Sequence, residues 1–217
     1  MTIYVIIKVS GGLGNQLFQI ANAYTLSKKY NRRLLICDKN CSDRPTYWET
    51  VLHNFKGNLI NNELYENLRK KSTIYSWAMT RFEYKEIILN ENVQYYCIDG
   101  YYQSYKYFDL KDFKNMIKFN RSKKKQKLPN NNDVCLHIRR TDYMLNNFHK
   151  VLSLNYYYNS LKDIERKMTI GNIYIFSDDL NWIRDNFKWE CKNNTKISFV
   201  SLKTDIEELS LMNKFKV

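Results

Sequence analysis

The amino-acid sequence predicts an α/β protein with parallel sheets. Short apolar runs alternate with amphipathic helical stretches, the first run leads directly into a glycine loop, and a later apolar run ends in paired arginines. Strict alternation is what a parallel sheet requires, because each parallel connection must cross back over the sheet. The ligand crevice of such a sheet lies at the carboxyl ends of its strands.

The first strand is expected at Ile3 to Val9, followed by the loop Ser10-Gly11-Gly12-Leu13-Gly14-Asn15-Gln16. A helix then runs from about Gln16 to Tyr30, with Leu17, Ile20, Ala21 and Tyr24 on one stripe that belongs in the core and Lys28 and Lys29 in the last turn. Arg33 to Cys37 reads as the second strand of a right-handed βαβ unit. Helix is expected around Asn62 to Lys71, and the aromatic run Gln94 to Tyr102 reads as a strand ending at Gly100.

The lysine run Lys123-Lys124-Lys125-Gln126-Lys127 precedes Leu128-Pro129-Asn130-Asn131-Asn132, which reads as a linker. It divides the chain into 1–128 and 129–217. The pattern then restarts: strand at Asp133 to Ile138, helix at Leu154 to Met168, strand at Asn172 to Phe176, short helix at Leu180 to Phe187, strand at Lys196 to Val200 and helix at Asp205 to Met212.

Two loops carry chemistry. Glycines let backbone amides approach a phosphate or sugar, and the following helix offers its positive end. The spacing is neither G-x-G-x-x-G nor a G-K-[ST] P-loop, so a tight structural turn and a ligand loop both remain open for Gly12 and Gly14. At the second loop, His137-Ile138-Arg139-Arg140-Thr141-Asp142-Tyr143 follows the apolar Val134-Cys135-Leu136. Strand alternation puts His137 and Arg139 on one face and Ile138 and Arg140 on the other. Arg139 is the candidate for a diphosphate, with Asp142 as the built-in counter-charge, and Arg140 is expected to pair with Asp142 and brace the turn. A solvated surface ion pair is the competing reading.

Ser177-Asp178-Asp179 stands at another strand end before a helix, where Ser177 or Asp179 suits an N-cap. Gly100 to Phe108 holds five aromatic residues, which suit either sugar stacking or packing between the two halves; Tyr102 and Gln103 are its cleft candidates. No D-x-D triplet occurs, so a metal-bridged diphosphate is not expected. No catalytic base is marked: His149, Glu63 and Asp99 are conceivable, and no spacing separates them from structural residues.

Four segments together, Gly11-Gly12-Leu13-Gly14-Asn15-Gln16-Leu17-Phe18-Gln19, Gly100 to Phe108, His137 to Tyr143 and Phe176-Ser177-Asp178-Asp179, resemble the α1,2-fucosyltransferase family, glycosyltransferase family 11. The resemblance spans Ile3 to about Met212. It implies a GT-B-like fold of two Rossmann-like domains facing across a cleft, 1–128 on the acceptor side and 129–217 binding the GDP-sugar. It also implies inverting, metal-independent transfer of fucose from GDP-fucose to a galactose-containing acceptor, with Asp178 accepting hydrogen bonds from guanine and Asn15 near the donor phosphate. The candidate site is thus Arg139 and Asn15 for catalysis, and Gly12, Gly14, His137, Arg139, Asp142, Ser177 and Asp178 for the donor, with no metal ligand and no cofactor. Two departures stand out. Thr141 occupies a position where the family usually has Gly. The family also continues past the segment matching Asp205 to Met212 into further donor-side elements, whereas this sequence stops at Val217, so an incomplete second domain, and an inactive donor-binding remnant, are expectations too.

Composition fits without deciding. The 217 residues carry a net charge of +13, which suits a polyanionic partner and keeps a nucleic-acid-binding module as an alternative class. The charge is spread, however, and its dense run falls in the linker, so no nucleic acid is expected as partner. Five cysteines without a C-x-x-C pair, and three histidines, argue against a disulfide framework or zinc site and for a reducing compartment, with Cys37 and Cys135 as core thiols. Ile3 to Val9 is too short for a signal peptide or membrane span, so a cytoplasmic protein without a membrane segment is expected.

Overall fold

The computed structural model describes residues 2–38, 45–76, 83–117, 119, 128–145, 150–190 and 194–217. The lysine run 123–127 and His149 lie outside the described residues. The chain forms two compact units, Met1–Asn120 and Arg121–Val217, so the division expected at 128/129 falls inside the second.

The first unit holds a five-stranded parallel sheet. Its strands are β1 (Tyr4–Lys8), β2 (Arg33–Cys37), β3 (Leu59–Ile60), β4 (Thr73–Ser76) and β5 (Tyr95–Asp99), in the order β3-β2-β1-β5-β4. The chain builds outward from β1 to β3, then starts again at the opposite edge with β4 and inserts β5 beside β1. Strand order therefore reverses between β1 and β5, which are paired from Tyr4↔Tyr95 to Ile7↔Ile98. A crevice at the carboxyl ends of two such strands is the usual ligand site of this architecture.

Helix α1 (Leu13–Lys29) follows β1. Its buried face differs from the expected stripe: Ile20, Ala21, Ala23 and Leu26 are buried, but so are Gln16, Gln19 and Asn22, while Leu17 and Tyr24 are half-buried. The opposite face of the sheet packs Ile6, Cys37 and Cys97 against Tyr65 of α2 (Asn62–Arg69). Helix α3 (Leu110–Met116), which no clear periodicity announced, is pinned to the unit by rings: Phe113 meets Phe55 and Phe108, and Phe55 meets Tyr24 of α1.

The second unit holds a parallel sheet in the order β6-β7-β8, from β6 (Val134–Ile138), β7 (Ile173–Ser177) and β8 (Ile197–Val200). The short α4 (Thr141–Met144) leaves the end of β6, α5 (Leu154–Glu165) precedes β7, α6 (Leu180–Asn186) follows it, and α7 (Asp205–Met212) follows β8. Val134, Leu136, Ile138, Ile173 and Ile175 form one core with Tyr157 and Leu161 of α5 and Ile183 of α6. On the other side Phe215 packs edge-on against Tyr174 and Phe176. Cys37 is a core thiol as expected; Cys135 is half-buried, and burial still pushes its thiol up to about 11.

Asp133 anchors the entry to β6. Its fully buried carboxylate accepts from the amides of Asn130 and Asn172, both at 2.8 Å, and from Asn172 Nδ2 at 3.0 Å.

Candidate functional site

In the first unit the glycine loop and the Gly100 segment meet at the ends of β1 and β5. Two glutamines of α1 reach back to peg the loop. Gln19 accepts from the Ser10 amide at 2.9 Å, and Gln16 Nε2 donates to the carbonyls of Gly11 at 3.0 Å and Pro45 at 2.9 Å. These buried amides are why polar residues sit on the helix's inner face. The loop glycines then divide by role. Gly11 has φ +78, a conformation that suits glycine, and a Cβ there would lie 2.5 Å from Asn15 Nδ2. Gly12 is the N-cap of α1 with ordinary extended angles, and Gly14 is helical; a Cβ on either would meet no atom within 4 Å. The fold itself does not need glycine at those two positions.

Helix α1 begins with no side-chain cap and no acidic residue in its first turn, so its first amides and positive end are left for a negative or oxygen-rich group. Asn15 stands in that turn, and its Oδ1 accepts from Gln103 Nε2 at 2.6 Å. Most of the aromatic segment packs within this unit: Tyr102 and Tyr107 are buried and contact each other edge-on, and Phe108 lies against Phe18, while Tyr105 is exposed. Asp99, at the end of β5, reaches Arg69 at 3.5 Å, and Glu63 is exposed in the first turn of α2.

In the second unit the two arginines have separate partners. Arg139 Nε donates to Asp142 Oδ1 at 2.9 Å and its Nη2 donates to Asp142 Oδ2, with the Tyr143 ring 5.0 Å away. The hydrogen bond to Asp142 raises the guanidinium's pKa further above its already high value, so it is a fixed cation. No described residue accepts from Nη1, which leaves that end of the fork available.

Arg140 does not pair with Asp142 as expected. Its Nε donates to Asp179 Oδ2 at 3.2 Å, Nη2 contacts Met144 Sδ, and the guanidinium lies over Trp182. The reason is alternation: Ile138 enters the core that α6 covers, and Arg140, two residues on, turns toward the same helix. Asp142, in the first turn of α4, is left to Arg139. Asp179 also caps α6, accepting from the Trp182 amide at 3.3 Å, while Ser177 Oγ accepts from the Asp179 amide at 3.0 Å.

Asp178 ties the ends of β7 and β6 together. Its Oδ1 accepts from the Arg140 amide at 2.8 Å, and its Oδ2 accepts from the Thr141 amide at 3.1 Å and the Thr141 hydroxyl at 2.6 Å. His137 is solvent-reachable, yet surrounding protein lowers its pKa, the charge of Arg139 lowers it further, and Asp178 and Glu208 oppose both. His137, Arg139, Asp142, Ser177 and Asp178 are therefore gathered at one set of strand ends, and Gly12, Gly14 and Asn15 at another.

Four contributors had weak sequence signals. Gln16 and Gln19 were hidden by the assumption that a helix's inner stripe is apolar. Trp182 was marked only as part of a helix. Glu208, whose Oε1 accepts from the Leu202 amide at 3.3 Å, comes near His137 through the return of α7, which no local spacing encodes. Among the described residues no group of three or more His, Cys, Asp or Glu is placed to hold a metal ion, and no helix is long and apolar enough to cross a membrane.

Parallel sheets with a glycine loop at one set of strand ends and an arginine fork at another are compatible with a Rossmann-like glycosyltransferase. The chain belongs to glycosyl transferase family 11, whose profile matches residues 2–216. It is 28% identical to the O-antigen biosynthesis glycosyltransferase WbnK of Escherichia coli, over 96% of this chain and 83% of that protein. It is 24% identical to an alpha-1,2-colitosyltransferase of Escherichia coli, over 98% and 81% of the two chains. A galactoside 2-alpha-L-fucosyltransferase of Caenorhabditis elegans is 25% identical over 80% of this chain and 52% of its own length.

Proposed function

We propose that the protein transfers fucose from GDP-fucose to the 2-hydroxyl of a galactose-containing acceptor glycan, with inversion and without a metal. In this reading the chain works in the cytoplasm, as its cysteine pattern suggests. The observation that carries it is the pair Gly12 and Gly14. A glycine in a helix's first turn costs about 0.5–1 kcal/mol relative to alanine, and no packing against Gly14 repays that cost. Bare backbone beside an uncapped helix start favours close approach by a phosphate or sugar oxygen.

The chemistry follows from charge development. The acceptor hydroxyl attacks the anomeric carbon, the bond from that carbon to the diphosphate oxygen breaks, the hydroxyl proton is released and GDP departs. The departing oxygen gains negative charge that a preorganised cation stabilises better than water does. Arg139 suits this task, since Asp142 fixes one edge of its fork and Nη1 has no acceptor among the described residues. Asn15 orients donor or acceptor oxygen at the glycine loop. Asp178 supplies a carboxylate for the guanine N–H groups, and with three hydrogen bonds already accepted it must share or release Thr141 to do so.

The test is incubation of the protein with GDP-fucose and a panel of galactosides, with and without EDTA. Fucosylated product and free GDP, unaffected by EDTA, are expected. Tight GDP binding without transfer to any galactoside points to a donor-binding remnant and overturns the enzymatic reading. Binding to random DNA with a steep salt dependence, unchanged by Arg139→Ala, selects the nucleic-acid module instead.

A further inference from the structure

We infer that Gln103 is a positioning residue for Asn15, committing that amide to present its Nδ2 donor, and not its Oδ1, to a diphosphate oxygen of the sugar nucleotide; the ligand part of this inference rests on the function proposed above. A carboxamide has one end that attracts an anion and one that repels it, and the two interchange by a half-turn about one bond. A partner that can bond only one end selects the orientation. Gln103 Nε2 donates to Asn15 Oδ1 at 2.6 Å, and no described residue accepts from Asn15 Nδ2. The absence of a Cβ at Gly11 keeps the place of that Nδ2 open, since a Cβ there would stand 2.5 Å from it.

The backbone that delivers Gln103 is held under strain. Tyr102 has φ +52, left-handed for a bulky residue, and only 3% of its surface is exposed. Such a conformation costs on the order of 1–3 kcal/mol and persists where surrounding contacts impose it. Here the Tyr102 hydroxyl reaches the carbonyls of Tyr75 at 2.9 Å and Asp99 at 3.2 Å, and its ring packs edge-on against Tyr107. The anchored turn brings Gln103 from the end of β5 to Asn15 beyond the end of β1. Uncapped, acid-free α1 beside it favours an anionic oxygen over a hydroxyl as the group Nδ2 meets.

Two substitutions separate positioning from bulk structure. Gln103→Glu has no N–H to give, so it bonds Asn15 Nδ2 and turns Oδ1 outward; Gln103→Met removes the bond and leaves both orientations open. Gln103→Glu is expected to raise the KM for GDP-fucose by about tenfold or more, Gln103→Met by less, with the KM for the galactoside unchanged in both. A wild-type KM for GDP-fucose in Gln103→Glu overturns the inference, as does a greater loss in Gln103→Met. A rise in the galactoside KM alone overturns the diphosphate assignment in favour of an acceptor hydroxyl. The pairing is also read without turnover, from side-chain amide resonances of 15N-labelled protein. The Gln103 Nε2 protons, identified by their loss in Gln103→Met, should shift in Asn15→Ala; no shift overturns the pairing. If the wild-type protein neither binds GDP nor uses GDP-fucose while that shift is seen, the proposed function falls and the pairing stands.

Discussion

The guanidinium of Arg140 lies 3.3 Å from the centroid of the Trp182 ring. With Asp179 on its Nε and only 12% of its side chain exposed, Arg140 is a brace between β6 and α6. Its neighbour Arg139 is 42% exposed and held on one edge by Asp142. Two adjacent arginines of identical chemistry thus have different surroundings, one packed against a ring and an acid and the other half-exposed beside Asp142.

Arg139→Ala is expected to lower kcat/KM for GDP-fucose by about a hundredfold or more, while chemical unfolding moves by no more than ~1 kcal/mol, because an exposed pair contributes little to stability. Arg139→Lys should not restore turnover, since a point charge cannot bond Asp142 with two donors and still offer a fixed third. Steady-state kinetics beside urea unfolding check both. Wild-type turnover in Arg139→Ala would remove the mechanism.

Arg140→Ala should do the reverse in stability. Losing the ring contact and the bond to Asp179 is expected to cost about 1–3 kcal/mol, seen as a lower urea midpoint. Arg140→Lys should recover less than half of it. An unchanged midpoint in Arg140→Ala would show that the stacking contributes nothing.

Gly14→Ala should stabilise and disable together. Helix propensity favours the variant by about 0.5–1 kcal/mol, and the added methyl meets no protein atom within 4 Å. Under the proposed function, affinity for GDP-fucose should nevertheless fall, because the methyl would crowd the phosphate or sugar oxygen proposed to approach this backbone. A variant that gains stability and keeps its KM would mean that Gly14 serves no ligand.

His137 should titrate below the ordinary imidazole value of about 6.5, followed by its ring-proton NMR signals. Arg139→Gln should raise that midpoint and Glu208→Gln lower it further. Since the folded pKa is the depressed one, the stabilising contribution is present above the unfolded value and is lost as pH falls through the folded one. His137→Gln should therefore show a shallower loss of stability on acidification. A midpoint at or above the ordinary value would place His137 away from Arg139.

Much of the architecture was legible because parallel strands buried on both faces must be apolar runs, and their crossovers must be helices. β2 and α7 fall where the pattern put them, at Arg33–Cys37 and Asp205–Met212, and β6 and β7 within a residue. β4 and α3 were not legible. Thr73–Ser76 is a short edge strand with little apolar signal, and Leu110–Met116 is held through Phe113 by the ring of Phe55, far away in sequence. The same limit applied at the site. Glycine loop, arginine pair and acidic turn were visible as local strings, but the partner of each arginine was not, because Asp142 and Asp179 are both acids within reach of a turn.

By itself the sequence determined that this is an α/β chain with a glycine loop, an arginine pair and an acidic turn at strand ends, since those features follow from local periodicity and from the few residue types that serve such turns. Tertiary structure alone decided that Arg140 meets Asp179, that Gln103 meets Asn15, and that Asp178 joins two strands. Those are pairings across 37 to 88 residues of chain, and their geometry is set by which helix covers which face of the sheet, a matter of packing that no neighbouring residue records.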